Sequence, residues 1–329
     1  MKLVNRFVKL LAALSIGAGS LATNAQTTTE NAYPNRPIKM VVPFGPGSTP
    51  DVLTRDLAAR LSAELGQNVV VDNISGASGM VGTQSVARAP ADGYTLLSGT
   101  IGILAVNQFL FDKIPYDVEN DFVPVSLFTK NPNVLVVPAS SPLTSIQELV
   151  KEGRSRKDPL NYGSSGNGTS LHLAAEMLKS VADMPAVHIP YTKGVMLDIA
   201  SGRLDFVFYH ISGTMPLVNG NKARILAIAT PERFALLPDV PTFKESGLGE
   251  FDVSGWMGIM APHGTPQAIV DKLSAAIAKV SADPVWQENL TKQGVLVIGS
   301  DPQGLAQFID AERDKWGNLI RDKKINVKD

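Results

Sequence analysis

Short runs of β-branched and other apolar residues alternate along the chain with longer stretches in which apolar residues recur every third or fourth position. This alternation is typical of α/β units built on mostly parallel strands. The short runs predict strands at 38–42, 69–71, 94–97, 134–137, 161–162, 187–189, 206–208 and 225–229. The residues after 260 predict mainly helix, because their apolar positions follow the helical spacing. The pattern therefore predicts an α/β fold.

Two of the predicted strand-to-helix turns are rich in glycine. The first turn, Phe44–Pro50, precedes a helix whose leucines recur every fourth residue, with Thr49 as the predicted N-cap and Pro50 as the first helical residue. The second turn, Gly163–Ser170, precedes an amphipathic helix at 171–181. The first N–H groups of a helix lack intrahelical acceptors and lie at the positive end of its dipole, so either turn is suited to a carboxylate or phosphate. The alternative is that the glycines only make tight turns.

Composition narrows the function classes. The 329 residues, 44% hydrophobic and 19% charged, suffice for two domains that each bury a core. The 30 basic and 31 acidic residues give no basic footprint, which argues against nucleic acid as a partner. The chain has no cysteine, so disulfides, thiolate metal sites and cysteine nucleophiles are excluded. Neither turn matches a nucleotide fingerprint and the four histidines form no metal motif, so we predict no cofactor and no metal.

The N-terminus has the features of a secretory signal peptide. Lys2, Arg6 and Lys9 precede a short apolar run at 10–21, and small residues at 23–25 offer a cleavage site. We predict cleavage after residue 25, which changes the formal charge from −1 to −4 because three basic residues are removed. No later apolar run reaches the roughly 20 residues of a membrane span, so the mature protein is expected in the periplasm as a soluble protein.

Other candidate residues follow predicted strand ends. Tyr191, Lys193 and Tyr209 lie just past strands, at positions where α/β sheets bind ligands. The sequence has no Gly-x-Ser-x-Gly elbow, but a catalytic triad is defined by geometry rather than chain order. A secreted serine hydrolase that uses His172 or His210 is therefore a minor alternative.

Several runs in the chain resemble the Bug family, the extracytoplasmic solute receptors of tripartite tricarboxylate transporters. The resemblance spans essentially the whole mature chain in order. The runs that carry it are YPNRPI (33–38), VPFGPG (42–47), Asp51, DGYTLL (92–97), NYGSSGNGTSLHL (161–173), IPY (189–191) and LPDVPT (237–242). The run at 161–173 is the most specific of these.

The resemblance implies the architecture of a type II periplasmic binding protein. In this fold, two α/β domains are joined by two crossing hinge strands and the ligand cleft lies between the domains. One domain is expected to combine both ends of the mature chain, at 33–128 plus 251–329. The other domain is expected at 129–250.

The resemblance also implies the ligand-binding residues. Around the first turn and the strand after it, the matching positions are Phe44, Gly47, Ser48, Thr49, Asp51 and Thr100, with backbone N–H groups of 47–49 and ordered water facing a carboxylate. In the second turn, the matching positions are Ser164, Gly168 and Thr169. Asp51 has two open interpretations: it complements the helix dipole, or it contacts an ammonium or hydroxyl group of the ligand.

The chain departs from the family pattern at two places. The stretch 190–195 carries an extra threonine before Lys193, and the segment to Asp198 is shorter than is typical of the family. Tyr209 stands where many members have aspartate, and His210 where asparagine is common. We therefore hypothesise a carboxylate ligand with aromatic or apolar character, flanked by Phe44, Tyr191, Phe208 and Tyr209. A short aliphatic di- or tricarboxylate is the alternative.

The function implied is capture without chemistry, so the chain is not expected to be an enzyme. A monomeric receptor closes around its small carboxylate and docks in the closed state on large and small integral-membrane transporter subunits. An alternative with the same pocket is a ligand sensor for a signalling kinase.

Overall fold

Within residues 33–191, 193–323 and 325, which the computed structural model describes, ten strands form one sheet. The strands are β1 (Ile38–Val42), β2 (Val69–Asn73), β3 (Thr95–Thr100), β4 (Phe122–Pro138), β5 (Leu160–Ser164), β6 (Ala186–Pro190), β7 (Phe206–His210), β8 (Ala223–Ile228), β9 (Ser254–Pro262) and β10 (Leu296–Val297). The predicted signal peptide lies outside the described residues.

Eleven α-helices accompany the strands in the same described ranges. They are α1 (Thr49–Leu65), α2 (Met80–Ala87), α3 (Asn107–Leu110), α4 (Val118–Asp121), α5 (Ile146–Ser155), α6 (Ser170–Val181), α7 (Val195–Ala200), α8 (Ile211–Asn219), α9 (Gln267–Ser281), α10 (Pro284–Thr291) and α11 (Pro302–Lys323). A 3-10 turn at Ala77–Gly79 and a π-helical segment at Gly102–Val106 add two shorter pieces. None of the described helices combines the length and the apolar character that a membrane crossing requires.

The sheet contains two groups of parallel strands. Its order is β2-β1-β3-β9-β4-β7-β5-β6, with β8 and β10 also paired to β4. Strands β1, β2 and β3 pair in parallel, and so do β5, β6 and β7. The antiparallel strands β9 and β4 lie between the two groups. The predicted α/β organisation is confirmed.

Strand β4 joins the two groups. Its first part, Phe122–Pro132, pairs with β9, whereas Asn133–Pro138 pairs with β7 and β8. The segment after β8 also contacts this strand, because the N–H of Ala229 donates to the carbonyl of Asn133 at 2.8 Å. The sequence predicted only 134–137 of this strand, because prolines and asparagines interrupt its apolar pattern. The predicted domain border at 128/129 falls inside β4, and the domain division stays a prediction.

Apolar side chains from both strand groups pack under the helices. Leu53, Leu57 and Leu61 of α1 are buried, as the leucine spacing predicts. The indole N–H groups of Trp256 in β9 and Trp316 in α11 both donate to a carboxylate oxygen of Glu312, at 3.0 and 2.9 Å. This shared acceptor attaches the C-terminal helix to the central strands.

Candidate ligand-binding site

A cavity of about 510 Å³ opens where the strands of both parallel groups end. One wall is the first turn together with Thr100 and Ile101, at the ends of β1 and β3. The facing wall consists of Ser165, 169–171, Tyr191 and 193–195, which follow β5 and β6. The remaining wall comes from the central strands, through Asn131 and 255–257, and from the end of β7, through Tyr209 and His210. Carboxyl ends of parallel strands are where α/β sheets bind ligands.

Eight of the twelve residues predicted to contact a ligand line this cavity. They are Phe44, Gly47, Ser48, Thr49, Thr100, Thr169, Tyr191 and Tyr209. The other four are not among its described lining residues; they are Asp51, Ser164, Gly168 and Phe208. Their positions are explained by the hydrogen bonds and packing described below.

Asp51 holds the first turn from behind. Its carboxylate accepts hydrogen bonds from the N–H of Gly47 (2.9 Å), the amide of Asn73 (2.9 Å) and the guanidinium of Arg55 (2.8 Å). Burial alone raises the pKa of Asp51, but these donors outweigh burial and bring the pKa below its ordinary value. Because the carboxylate is buried and its partners are protein groups, these contacts support a role in shaping the turn.

Helix α1 begins one residue earlier than the sequence predicts. Ser48, rather than Thr49, is the N-cap, and its hydroxyl accepts the N–H of Asp51 at 3.4 Å. Gly47 has a φ of +78°, a left-handed conformation that favours glycine. The N–H of Gly47 donates to Asp51, that of Ser48 donates to the carbonyl of Gly45 at 3.3 Å, and Pro50 has none. Thr49 is therefore the residue of 47–50 whose N–H has no acceptor among the described hydrogen bonds.

The second turn has a different support. Thr169 is the N-cap of α6: its hydroxyl accepts the N–H of His172 (3.4 Å) and donates to the carbonyl of Gly166 (2.8 Å). The N–H of Gly168 donates to Nδ1 of His172 at 3.3 Å. Ser164 is fully buried, and its hydroxyl is bonded within the turn and to His188. Gly168 and Ser164 therefore shape this wall from behind.

The aromatic residues divide according to strand alternation. Tyr209 of β7 lines the cavity, whereas its neighbour Phe208 points to the opposite face and packs in the core against Phe243 and Phe251. The hypothesis that Phe208 flanks a ligand ring thus finds no support in its position. Tyr191 lines the cavity with its hydroxyl donating to Asp198 at 2.7 Å.

The cavity is electrostatically suited to an anion. No aspartate or glutamate is among its described lining residues, and Lys193 is the charged side chain among them. Burial lowers the pKa of His210 to about 4, although its hydrogen bond with the backbone of Asn131 acts in the other direction, so this ring is neutral at pH 7. Burial raises the pKa of Tyr209, against a hydrogen bond with Ser165, so its hydroxyl stays protonated. Within the described chain, no group of three or more potential ligands is placed to hold a metal.

The hydrolase alternative gains no support from this geometry. Ser164 Oγ lies 2.7 Å from Nε2 of His188, but Ser164 is fully buried and is not part of the cavity wall. His172 receives the N–H of Gly168 and has no serine partner among the described hydrogen bonds. His210 lines the cavity, but within the described residues no hydrogen bond links it to a serine hydroxyl.

Several lining residues were missed by the sequence reasoning. Asn131, Gly255, Trp256 and Met257 come from β4 and β9, which are far apart in sequence and meet only through sheet pairing. The sequence pointed to His210 as a departure from the family pattern and as a histidine of the hydrolase alternative, but not as a ligand contact. A Cβ on Gly255 would approach His210 Cε1 to 2.8 Å, so the absence of a side chain there makes room for the histidine.

Two parallel strand groups, joined by central antiparallel strands and bordering one cavity, define a type II periplasmic binding protein. The chain belongs to the tripartite tricarboxylate transporter receptor family, because the model described as "Tripartite tricarboxylate transporter family receptor" matches residues 53–326. The protein BugT of Bordetella pertussis is 33% identical over 324 residues, which cover 97% of this chain and 99% of BugT. The resemblance to the Bug family is therefore confirmed.

Solved structures agree with this assignment. Rpa4515 of R. palustris with adipate is 35% identical and has a TM-score of 0.84, over 90% of this chain and all of that one. MatC of Rhodopseudomonas palustris with bound malate is 31% identical with a TM-score of 0.80, over 88% of this chain and all of MatC. The family is one of periplasmic solute-binding receptors.

Proposed function

We propose that this receptor captures a small carboxylate in the cavity and delivers it to the large and small membrane subunits of a tripartite transporter. The observation that carries the proposal is the convergence of two long helix N-termini, those of α1 and α6, on one cavity without an acidic lining residue. Each N-terminus concentrates partial positive charge and unpaired N–H groups. Lys193 adds a positively charged side chain to the lining of the cavity.

The two helix starts belong to different strand groups, which suggests how binding is coupled to closure. Helix α1 follows β1, whereas α6 follows β5. A ligand that contacts both starts favours the arrangement in which they are close, and only this differential contact can shift the equilibrium. We propose that the closed form is the one that docks on the membrane subunits, that the receptor acts as a monomer, and that no chemical step occurs. The relatives with adipate and malate support carboxylates as the ligand class.

The ligand's second half is the open part of the proposal. Phe44, Tyr191, Tyr209 and Trp256 give the cavity aromatic surface, which favours a carboxylate with an aromatic or apolar body. Lys193 favours a second carboxylate, as in an aliphatic dicarboxylate. Both classes fit the anion-binding role of the helix starts.

A thermal-shift screen of the mature protein tests the proposal. The panel contains adipate, malate, citrate, benzoate and terephthalate, and a ligand present at 100 times its Kd adds about 2.7 kcal/mol to the unfolding free energy. A selective rise in Tm with at least one carboxylate is expected, and native mass spectrometry identifies any ligand that is already bound. A ligand-free protein that responds to no member of the panel contradicts the proposal.

Substitution of Lys193 by glutamine separates the two ligand classes. We expect the variant to lose affinity for dicarboxylates by about tenfold or more and to bind benzoate almost unchanged if one carboxylate lies at Lys193. Lys292→Gln is the matched control, since Lys292 is an exposed lysine paired with Glu288 outside the cavity. A clear preference for citrate over the aromatic acids would contradict the aromatic hypothesis.

A signalling role uses the same cavity and differs in the partner. Reconstitution with the membrane subunits distinguishes the two roles: transport that depends on this receptor supports delivery, whereas ligand-dependent activation of a sensor kinase without transport supports sensing.

A further inference from the structure

Two histidines from different elements support the second turn from behind. His172 belongs to α6 and His188 to β6, and their ring centroids are 4.2 Å apart with planes inclined by 26°. Each ring bonds to the turn. Nδ1 of His172 accepts the N–H of Gly168 at 3.3 Å, and Nε2 of His188 lies 2.7 Å from the hydroxyl of Ser164. The two rings therefore determine where both ends of the turn lie.

Burial and Lys179 favour the uncharged state of the rings, whereas Glu176 favours a charged His188. Tyr162 of β5 stacks on His188 with a centroid distance of 4.9 Å, and its hydroxyl donates to Glu176. Glu176 is paired in turn with Lys179 at 2.6 Å, and both belong to α6. Tyr162, Glu176 and Lys179 are the titratable groups that face the histidines from the elements packed against them. The carboxylate is thus already committed to Lys179 and Tyr162.

Protonation of His172 is incompatible with its contact to Gly168, and charge on both rings is incompatible with their stacking. A proton on Nδ1 of His172 would turn this acceptor into a donor that faces the N–H of Gly168. Two charged rings 4.2 Å apart would also repel each other in a buried place. Burial, reinforced by Lys179, lowers the pKa of His172 to about 4. Burial, together with His172 and Lys179, outweighs the opposing effect of Glu176 and lowers the pKa of His188 to about 3.

We propose that His172 and His188 are positioning residues that hold the second turn against the cavity only while both rings are neutral, so that acid releases this wall. Once the turn is released, the rings regain the ordinary histidine pKa of about 6.5. The folded arrangement is therefore fully favoured above pH 6.5 and loses its advantage as the pH falls from 6.5 towards 4. The inference goes beyond the proposed function, since it concerns the shape of the turn and holds for any ligand.

Hydrogen exchange of the mature protein tests this proposal without a ligand. After correction for intrinsic exchange rates, protection of the amides at 166–170 is compared at pH 8 and pH 5. We expect protection to fall by about 30-fold for each ring that becomes protonated on release. The first turn, whose support contains no histidine, is the internal control and is expected to change little.

Two variants keep the hydrogen bonds and remove the titration. In His172→Asn the side-chain oxygen replaces Nδ1 as acceptor, and in His188→Gln the amide replaces Nε2. We expect the double variant to show the same protection at pH 5 as at pH 8. Equal protection of the wild type at both pH values would overturn the proposal, and so would an unchanged acid effect in a folded double variant. If the double variant does not fold, the wild-type profile, compared with that of the first turn, still decides.

The Kd for adipate, measured over the same pH range, links the turn to binding. We expect acid to weaken binding in the wild type more than in the double variant. A protein that binds no carboxylate at any pH contradicts the proposed function, while the exchange measurement still decides the role of the histidines.

Discussion

The first and second turns have the same local design and are supported by opposite chemistry. Both connect a strand to a helix, both have a hydroxyl N-cap and both contain a glycine with positive φ, +78° at Gly47 and +75° at Gly168. In the first turn, the glycine N–H donates to the carboxylate of Asp51. In the second turn, it donates to the neutral ring of His172, four residues further along in both cases.

This difference makes the two walls of one cavity respond differently to the surroundings. The pKa of Asp51 is lowered, so the anion that holds the first turn persists to pH values below its ordinary value of 3.8. The pKa values of His172 and His188 are lowered as well, but for a histidine a lowered pKa favours the neutral form. When the turn is released, these rings become protonated below about pH 6.5. The first turn thus depends on a charged carboxylate, whereas the second turn depends on uncharged histidine rings.

Removing the carboxylate of Asp51 is expected to have the largest effect. Asp51→Ala removes the acceptor of the N–H of Gly47, one acceptor of the Asn73 amide and one of the two acceptors of the Arg55 guanidinium, so the unfolding free energy falls by about 3 kcal/mol. Urea denaturation at pH 7 measures this change. Asp51→Asn, which keeps an acceptor but no charge, is expected to lose about half as much. Equal stability of the alanine variant and the wild type would show that Asp51 does not hold the turn.

The pH dependence of stability separates the two supports. Because its folded pKa is about 4, His172 contributes stability that is present above pH 6.5, and about 2 kcal/mol of it is lost by pH 5. The contribution of Asp51 is present above pH 3.8 and is lost only as the pH falls through its lowered pKa. Urea denaturation from pH 8 to pH 3 is expected to show a loss by pH 5 that is about 2 kcal/mol smaller in His172→Asn than in the wild type, because His188 and His210, whose pKa values are also lowered, titrate in both proteins. The deficit of Asp51→Asn should stay constant down to about pH 4, and a deficit that shrinks between pH 8 and pH 5 would contradict this assignment.

Much of this comparison was visible in the sequence, because local patterns determine it. The glycine-rich turns, the strands before them and the apolar face of α1 follow from spacing alone. The side chains that support the turns could not be predicted from spacing. Asn73 and His188 reach the turns from neighbouring strands, and only the sheet register brings them there.

The central wall of the cavity shows the same limit. Asn131 and Gly255 are opposite each other in the β4–β9 pair, but their sequence separation hides the pairing. The orientation of β7 was equally hidden: three aromatic residues in five positions do not say which face is buried, so Phe208 was expected in the site that Tyr209 lines. Local sequence patterns therefore predicted the two turns, but not the side chains of the strands that lie between them.

Alanine at the two glycines compares the surroundings of the turns. At Gly47 an added Cβ meets no atom within 4 Å, so Gly47→Ala costs only the left-handed backbone, about 1 kcal/mol. At Gly168 the Cβ also approaches Asn107 Oδ1 to 3.1 Å and Leu110 Cδ1 to 3.3 Å, so about 2 kcal/mol is expected. Urea denaturation measures both, with Gly66→Ala as the control for backbone cost alone. Because α3 lies across the second turn, Gly168→Ala should also weaken adipate binding more than Gly47→Ala. The reverse order would mean that the contact with Asn107 does not constrain the turn.

The N-cap hydroxyls are expected to have the smallest effects. Thr169→Ala removes an acceptor for the N–H of His172 and a donor to Gly166, so we expect a loss of about 1 kcal/mol in unfolding free energy. Ser48→Ala removes one long bond of 3.4 Å from a turn that Asp51 still holds, and about 0.5 kcal/mol is expected. Ser145→Ala, at the N-cap of α5 and outside the cavity, should cost similar stability and leave adipate affinity unchanged. Because Thr169 lines the cavity in the wall that lacks a charged support, its loss should weaken binding more than the loss of Ser48. A larger effect of Ser48→Ala on both stability and affinity would reverse the ranking of the two supports.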